Sequence, residues 1–376
     1  MEKILLFNII VIKEVTSMNV LILSGRFGLG HYSAASAIKQ ELYDNSPNAN
    51  IFMVDILEYL LPKSNKIIYK SFNAIVSKWS NLYNFLNNFS GDYNSIPFEN
   101  KTISKLNLLL KTYSPDIIIS TLPIASHYIS HYKTLMNYNI PLITCITDIS
   151  SQDEWIAKNT NIYFVPAKSI KESLINKGIE ANIIYVVGIP VKSSFKSSTK
   201  LYPSKNINNI LIMGGGLGLI RLPEEVFESL EALPNIKVTI ITGNNKTLYD
   251  NLNAKYKNFN VIPYTHEVSK YMEEADLLIS KSGGVTLFES IHTCTPLFII
   301  TPFLHQEIAN AEFVDYHRIG RVLWDKNSDT VKELLSLIQN ENEILEIQKN
   351  MKKLKDELSK TTIYSVICKI ENGGLI

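Results

Sequence analysis

The chain alternates between short apolar runs and longer segments in which apolar residues recur every three or four positions. Apolar runs without regular polar alternation occupy residues 20–23, 51–54, 117–120, 142–147 and 162–165. Such runs are typical of parallel strands that are covered on both faces. Helical patterns, for example at 33–43, separate them. The first half of the chain therefore predicts a β-α-β-α order and a parallel sheet.

A second series of the same kind follows a polar interruption. Residues 191–209 are rich in Ser, Lys and Asn and predict a linker. Beyond it, strands are predicted at 210–213, 238–242, 261–263, 277–280 and 297–301, helices at 223–232, 247–255, 269–274 and 286–292, and a mostly helical end at 329–370. We therefore expect an α/β protein with two Rossmann-like domains facing a central cleft, which is where such folds bind ligands.

These breaks in the pattern give the expected domain bounds. An N-terminal domain spans 18–190, the linker 191–209, a C-terminal domain 210–345 and a C-terminal helical segment 346–376. Residues 1–17 contain a short apolar run, and a second methionine, Met18, begins the first predicted strand. The run is too short for a transmembrane helix, and no cleavage site follows it. We interpret 1–17 as an N-terminal extension, with an extra edge strand or a peripheral membrane contact as the alternative.

Length and charge narrow the class of protein. A chain of 376 residues has room for two domains with separate cores. Lys and Arg total 37 against 36 for Asp and Glu, which argues against nucleic-acid binding through bulk charge. Cys145, Cys294 and Cys368 are far apart, so we expect buried thiols and neither a disulfide framework nor a cysteine metal site.

A glycine-rich loop follows the first predicted strand. Gly25, Gly28 and Gly30 precede a helix rich in Ala and Ser, and His31 stands where the loop becomes the helix. Glycine allows a ligand close to the backbone, and a helix N-terminus offers unpaired N–H groups. The spacing matches neither the dinucleotide pattern nor a P-loop, so a plain turn is the alternative. A neutral His31 here can act as a general base on a hydroxyl, with a solvent-exposed or capping histidine as the alternative.

The strongest motif closes the predicted strand 277–280 and opens the next helix. It reads SKSGGVTLFE and contains Lys281, Ser282, Gly283, Gly284, Thr286 and Glu289. We expect the N–H groups of its two glycines, with the threonine at the helix start, to hold a diphosphate. The glutamate lies about one helical turn further on, where a carboxylate can accept two ribose hydroxyls.

Two further clusters are expected at the same edge of the sheet. They comprise Gln306, Glu307 and Asn310 after one strand and Gly215 and Gly216 after another. Amide and carboxylate groups together suit a polyhydroxylated sugar ring. The glycines are expected to approach the phosphates. Taken alone, the first cluster could be ordinary helix capping and the second a plain loop. The joint occurrence of the motifs at neighbouring strand ends favours a nucleotide-sugar site.

With these motifs, the chain resembles the monogalactosyldiacylglycerol synthases and the processive diacylglycerol glucosyltransferases, which are related to the N-acetylglucosaminyltransferase of the peptidoglycan lipid intermediate. The matching pieces include LILSGRFGLGHYSAASAI, ITDISSQDEW, LIMGGGLG, SKSGGVTLFES and HQEIANAEF, in this order. The resemblance covers nearly the whole chain from Met18 onward. It implies the two-domain GT-B fold, a UDP-sugar donor and inversion at the sugar. It also implies that the helix dipole and backbone amides stabilise the leaving UDP, without a metal or a cofactor.

The resemblance assigns roles to individual residues. Gly283, Gly284 and Thr286 resemble the diphosphate contacts, Glu289 the ribose-binding acid, and Gln306, Glu307 and Asn310 the sugar contacts. Gly28, Gly30, Gly215, Gly216, Lys281 and Ser282 complete the candidate donor contacts. His31 resembles the histidine near the reaction centre. Asp148 and Trp155 resemble the TD…W motif beside the cleft, with strand-end capping and plain packing as alternatives. His31 and Asp148 are therefore the candidate catalytic residues.

Two departures from the family pattern bear on activity. The TD…W motif usually carries a histidine where this chain has Gln152, which cannot take a proton. The pair before Gln306 is usually Pro-Gly and here is Leu304-His305, which changes the turn that presents Gln306 and Glu307. Both departures leave the donor sugar, the acceptor and full activity open.

A basic, aromatic segment in the N-terminal domain points to a membrane surface. Residues 63–90 carry four lysines and no acid. Ile68, Phe72, Ile75, Trp79, Leu82 and Leu86 recur at steps of three and four, which predicts an amphipathic helix with basic flanks. Such a helix can lie on an anionic bilayer, and packing on the N-terminal domain is the alternative.

The sequence hypothesis is a glycosyltransferase that moves a hexose from a UDP-sugar to a membrane lipid hydroxyl, with diacylglycerol as the leading acceptor. We expect a cytoplasmic protein, peripheral on the inner face of the cell membrane, with no metal and no nucleic-acid partner. Three rivals remain: a transferase for a non-lipid acceptor, a UDP-sugar epimerase and a non-catalytic UDP-sugar-binding protein. The segment 63–90 favours the lipid acceptor over all three.

Overall fold

The computed structural model describes residues 18–27, 29–63, 65, 69, 99–197, 206–325 and 327–371. The expectations for 1–17, for Gly28 and for most of the segment 63–90 therefore lie outside the described residues. Within the described ranges, no helix combines the length and the apolar character needed to cross a bilayer.

The N-terminal half of the chain forms one parallel sheet. Its strands are β1 (Asn19–Ser24), β2 (Asn50–Asp55), β3 (Ile117–Ser120), β4 (Leu142–Cys145), β5 (Ile162–Val165) and β6 (Ile184–Val186), in the order β2-β1-β3-β4-β5-β6. The helices are α1 (Gly30–Asn45), α2 (Ile56–Leu60), α3 (Glu99–Tyr113), α4 (Pro123–Met136) and α5 (Lys168–Asn176). β3, β4 and β5 are buried along their whole length, which is why they read as continuous apolar runs.

The second half repeats this architecture. Its strands are β7 (Asn209–Met213), β8 (Lys237–Ile241), β9 (Asn260–Ile262), β10 (Leu277–Ser280), β11 (Leu297–Ile299) and β12 (Gly320–Val322), in the order β12-β11-β10-β7-β8-β9. The helices are α7 (Glu224–Glu231), α8 (Lys246–Lys255), α9 (Val268–Glu274), α10 (Gly284–Thr293) and α11 (His305–His317). In both sheets the strand order reverses beside the first strand, and ligands bind beyond the carboxyl ends of strands at such reversals.

The chain crosses between the two halves twice. A short helix, α6 (Ser193–Lys196), occupies the described start of the predicted linker. The chain ends in α12 (Thr330–Ile338), α13 (Glu341–Leu358) and α14 (Ile363–Glu371), and the predicted boundary between 345 and 346 falls inside α13. α14 packs its buried face, Ile363, Val366, Ile367 and Ile370, against the core of the N-terminal sheet. The last described helix therefore belongs to the N-terminal core, although it follows the C-terminal sheet in the sequence.

Each predicted strand corresponds to a strand of the structure, and all but two agree within one residue at each end, while two further strands were not predicted. β4 ends at Cys145 and β11 at Ile299, each two residues before the predicted end. The three-residue strands β6 and β12 were not predicted. β6 lies at one edge of its sheet and β12 at one edge of the other. β12 is partly exposed and contains Gly320 and Arg321, so it leaves no apolar run, whereas β6 lies within the apolar run 183–187 and was missed in spite of it.

Candidate active site

The N-terminal side of the site begins where β1 passes into α1. His31 is the second residue of α1, and its Nδ1 lies 2.7 Å from the hydroxyl oxygen of Thr147, which follows β4. The hydroxyl of Thr121, just after β3, donates to the backbone oxygen of His31 at 3.1 Å. Burial lowers the pKa of His31 to about 4, and a hydrogen bond with Thr121 opposes this shift. The imidazole is therefore neutral at pH 7 and can accept a proton.

Asp148 is the next residue after Thr147, in the loop that follows β4. Burial raises its pKa to about 7, the charge of Glu154 adds to the rise, and the indole of Trp155 acts in the opposite direction. Asp148 Oδ1 is buried and has no hydrogen-bond partner among the described residues. Trp155 is fully buried with its ring centre 6.0 Å from that of His31, so it packs behind the histidine and does not line the cleft.

The C-terminal side of the site is the turn between β10 and α10. Gly283 is the N-cap of α10, and the first N–H groups of a helix point along its axis without helical partners. Lys281 adds a positive charge, and its Nζ donates to Glu307 Oε1 at 2.8 Å. Together the helix N-terminus and the ammonium group form a site for an anion such as a diphosphate.

Glu307 and Asn310 connect this turn to α11 and to the other domain. The hydroxyl of Ser282 donates to the backbone oxygen of Glu307 at 2.7 Å. Asn310 donates to the backbone oxygen of Ser282 at 2.9 Å and accepts the N–H of Ile149 at 2.9 Å. Asn310 thus bridges the domains, while the second carboxylate oxygen of Glu307 is buried without a protein partner in the described part of the chain. An unpartnered acceptor in the cleft fits a sugar hydroxyl.

Glu289 lies one turn into α10. Burial raises its pKa to about 8, and the charge of Lys192, just before α6, lowers it in part. A carboxyl group that is neutral at pH 7 both donates and accepts a hydrogen bond, which suits the vicinal hydroxyls of a ribose.

One cavity of about 980 Å³ between the two sheets contains these groups. It is lined by the predicted residues Gly30, His31, Asp148, Gly215, Gly216, Lys281, Ser282, Gly283, Gly284, Thr286, Glu289, Gln306, Glu307 and Asn310. Gly28 lies outside the described residues. The structure therefore brings the described candidate catalytic and donor-binding residues into one cleft, whereas Trp155 packs outside it, and the individual roles stay predictions.

The cavity also has an apolar wall that the motifs did not identify. It is formed on the N-terminal side by Phe27, Leu29, Tyr32, Leu122, Pro123 and Ile124. Their position in the sequence could have predicted this wall. They follow the carboxyl ends of β1 and β3, beside the point where the strand order reverses, and ligands bind at such points. Thr147 was missed for a different reason, because its contact with His31 joins residues 116 positions apart.

The two departures from the family pattern, Gln152 and Leu304-His305, differ in their position relative to the cavity. Gln152 is exposed and does not line the cavity, whereas Glu154 of the same segment does. Leu304 is buried as the N-cap of α11 and lines the cavity, and His305 is exposed. The loss of a histidine at 152 therefore removes no group from the cleft wall, and Leu304 adds an apolar residue to the cavity lining just before Gln306.

Comparisons with known proteins identify the family. Residues 31–191 match the family model "Monogalactosyldiacylglycerol (MGDG) synthase", and residues 209–363 match "Glycosyltransferase family 28 C-terminal domain". A processive diacylglycerol beta-glucosyltransferase of Staphylococcus epidermidis is 30% identical over 376 residues, covering 93% of this chain and 91% of that protein. A processive diacylglycerol beta-glucosyltransferase of Bacillus licheniformis is 28% identical, and the match covers 96% of this chain and 97% of that protein. The chain belongs to this glycosyltransferase family.

Solved structures agree on the fold. MurG of Acinetobacter baumannii has a TM-score of 0.56 at 15% identity, and the match covers 92% of this chain and 100% of the MurG chain. A putative UDP-N-acetylglucosamine 2-epimerase of Listeria monocytogenes has a TM-score of 0.57 at 13% identity, covering 89% and 91%. The predicted GT-B fold is thus confirmed. Solved structures of a spinosyn rhamnosyltransferase and of the epimerase match this chain with similar TM-scores, 0.55 and 0.57. The fold alone therefore does not choose between transfer and epimerisation, and the family does.

Proposed function

We propose that this glycosyltransferase moves glucose from UDP-glucose to the hydroxyl of diacylglycerol, with inversion at the sugar. The observation that carries the proposal is the composition of the cleft. A neutral histidine beside an apolar wall shares one cavity with a cationic helix N-terminus, in a chain whose relatives are named diacylglycerol beta-glucosyltransferases.

The proposed reaction is a single displacement. His31 takes the proton of the acceptor hydroxyl, whose oxygen bonds to the anomeric carbon while the bond from that carbon to the diphosphate breaks. The negative charge that develops on the leaving UDP lies at the N-terminus of α10 and near Lys281. The N–H groups and the ammonium group are fixed before the reaction, so they stabilise this charge without reorganising.

The donor is proposed to lie along the C-terminal wall. Its diphosphate contacts the turn of Gly283 and Gly284, its ribose contacts Glu289, and its hexose contacts Gln306 and Glu307. We propose that no metal takes part. The expectation is tested by adding EDTA to the reaction, which should leave the initial rate unchanged.

The acceptor is proposed to enter along the apolar wall. A diacylglycerol hydroxyl is attached to acyl chains, which such a wall accommodates and a polar wall does not. Tyr69, a described residue of the segment 63–90, packs its ring edge-on against Phe27 at 5.0 Å and donates to Asp55 at 2.6 Å. Tyr69 thus lies beside Phe27, a residue of the apolar wall. We propose that the segment 63–90 holds the protein on the inner face of the cell membrane, at an anionic surface.

The deciding experiment measures UDP release from UDP-glucose and from UDP-galactose, with anionic liposomes that contain or lack diacylglycerol. Release that requires diacylglycerol and UDP-glucose supports the proposal, and the mass of the glycolipid counts the sugars added. Release without lipid, with conversion of the sugar nucleotide itself, would indicate an epimerase. Binding of UDP without turnover, both with and without diacylglycerol in the liposomes, would indicate a non-catalytic protein or a different acceptor.

A further inference from the structure

Leu29 has a backbone conformation that leucine rarely adopts. Its φ of 68° and ψ of −10° lie in the left-handed region, where the Cβ of an L residue crowds the following carbonyl oxygen. Leu29 is also the N-cap of α1, a position that favours Ser, Thr, Asp, Asn or Gly because their side chains or small size suit the helix start. Two local preferences are violated at one residue, so a tertiary contact must hold it there.

That contact is with the other domain. A Cβ built on Gly216 would lie 2.4 Å from Leu29 Cδ1 and 3.3 Å from its Cγ, so the leucine side chain occupies the space that a side chain at 216 would need. Gly216 is fixed in turn, because its backbone oxygen accepts the N–H of Asn244. Leu29 and Gly216 both line the cavity, and they form an apolar bridge across the cleft.

The bridge joins the two sets of reacting groups. Leu29 lies two positions before His31, which the proposed mechanism uses as the base. Gly216 follows Gly215, where an added Cβ would lie 3.6 Å from Cε of Lys281, the cation of the proposed diphosphate site. The Leu29 side chain therefore lies beside the region where the anomeric carbon of the donor and the acceptor hydroxyl must meet.

Water competes with the acceptor for that carbon. In hydrolysis, the water oxygen bonds to the anomeric carbon, the bond to the diphosphate breaks, a proton passes to His31, and the products are free glucose and UDP. In transfer, the lipid oxygen makes the same bond and the product is a glycolipid. A leucine side chain cannot hydrogen-bond a water molecule, and expelling water from a closed site prevents hydrolysis of reactive donors.

We infer that Leu29 is a specificity-determining residue whose apolar bridge to Gly216 keeps water from the anomeric carbon and so directs the sugar to the lipid hydroxyl. The inference rests on the proposed function, since it concerns the choice between two acceptors in that reaction. It accounts for a strained apolar residue at a position where a small or capping residue is favoured by local structure.

The test compares the full-length protein with Leu29→Gly, Leu29→Asn and Leu29→Met. Glycine and asparagine tolerate a positive φ and remove the apolar bridge, whereas methionine retains an apolar side chain of similar reach. Free glucose and glucolipid are measured in the same reaction with diacylglycerol liposomes. We expect the ratio of glucose to glucolipid to rise about tenfold in the first two variants, which corresponds to about 1.4 kcal/mol, and to stay at the wild-type ratio in Leu29→Met.

A matched control separates the bridge from the strain. Arg318 also has a positive φ, of 50°, at the end of α11 and does not line the cavity. Arg318→Gly is expected to leave the ratio unchanged. An unchanged ratio in Leu29→Gly and Leu29→Asn, or an equal rise in Leu29→Met, would overturn the inference.

Failure of the proposed function gives a different result. If the wild-type protein makes no glucolipid, the acceptor proposal fails, and the inference is then decided by UDP release without lipid. Faster release in Leu29→Gly than in the wild type would still support water exclusion, and an equal rate would overturn it.

Discussion

At the scale of single residues, burial sets the protonation of the cleft. It lowers the pKa of His31 to about 4 and raises the pKa values of Asp148 and Glu289 to about 7 and about 8, so each shift favours the neutral form. At neutral pH the site therefore holds a neutral imidazole that can accept a proton and a carboxylic acid that can donate a hydrogen bond. Lys281 donates a hydrogen bond to Glu307 beside the turn that is proposed to bind the diphosphate.

Removal of the proposed base should affect turnover and leave donor binding intact. We expect His31→Ala to lower kcat by about 100-fold to 10,000-fold, because general-base catalysis contributes that much. UDP affinity, measured by calorimetry, should stay near the wild-type value, since the residues proposed to bind the diphosphate and the ribose lie on the C-terminal wall of the cavity. An equal loss of UDP affinity would instead indicate a structural histidine.

The pH profile distinguishes His31 from Asp148. A base with a pKa of about 4 loses activity only in acid, so kcat/KM should begin to fall below about pH 5. A profile of initial rates against pH measures this. If the fall instead lies near pH 7 and disappears in Asp148→Asn, the base is Asp148, whose pKa is about 7.

Glu289 should make the folded protein less stable in alkali. Its pKa is raised from 4.5 to about 8, so between these values the folded state holds a proton that the unfolded chain has released. The free energy of unfolding therefore falls as pH rises through this window. We expect Glu289→Gln to remove this part of the pH dependence, so that its Tm advantage over wild type grows from pH 5 to pH 8.5. Parallel Tm curves, as expected for the exposed Glu225→Gln, would contradict the shift.

At the scale of elements, close backbone contacts fix the loops that follow the strands. Gly218, in the loop after β7, has a φ of 64°, and an added Cβ would lie 1.9 Å from the backbone oxygen of Thr242. Asn245 donates to the Gly218 oxygen at 3.3 Å and accepts the N–H of Leu248 as the N-cap of α8. The loops after β7 and β8 are thus held together, and the first of them carries Gly215 and Gly216 into the cleft.

A pair of glycine substitutions tests this packing. Gly178 also has a positive φ, of 90°, but an added Cβ would meet nothing within 4 Å. We expect Gly178→Ala to cost about 1 kcal/mol from backbone strain alone, and Gly218→Ala to cost about 3 kcal/mol or more, since overpacking adds to the strain. Urea unfolding of both variants measures the difference. Equal costs would show that the two loops separate easily.

At the scale of the whole molecule, α1 connects the reaction centre to both crossings between the domains. Its first turn carries His31. Near its other end, Glu41 pairs with Lys196 of α6 at 2.7 Å and accepts the N–H of Tyr364 of α14 at 3.2 Å. Gln40 donates to the hydroxyl of Ser193 at 2.7 Å. The linker and the last helix are therefore fastened to the element that positions the proposed base.

The last helix should be essential for the N-terminal core. Val366 is fully buried against the N-terminal sheet, so Val366→Asp would place a charge in an apolar environment. We expect a loss of about 3 kcal/mol or more in the free energy of unfolding, measured by urea denaturation. Lys369→Asp, an exposed position on the same helix, is the control and should change stability by less than about 0.5 kcal/mol. A similar small effect at Val366 would show that the N-terminal core folds without α14.

Most strands could be predicted from the sequence because buried strands leave continuous apolar runs. β1, β3, β5, β7 and β10 were predicted within one residue at each end. β12 was not, since its three partly exposed residues, Gly320 to Val322, form no apolar run, and β6 was missed although residues 183–187 form one. The sequence also did not predict which domain α14 packs against, because a helical pattern shows which face is apolar but not which core covers it.

The sequence alone determined the α/β class, the two similar halves and the glycine, carboxylate and histidine motifs, because these depend on local periodicity and on residue types at short spacings. Only the tertiary structure decided which distant residues meet. Thr147 reaches His31, Asn310 reaches Ile149, and Leu29 reaches Gly216, each across a long stretch of chain. It also decided the protonation of the cleft, because a pKa depends on how much water the surrounding walls remove, and no residue carries that property by itself.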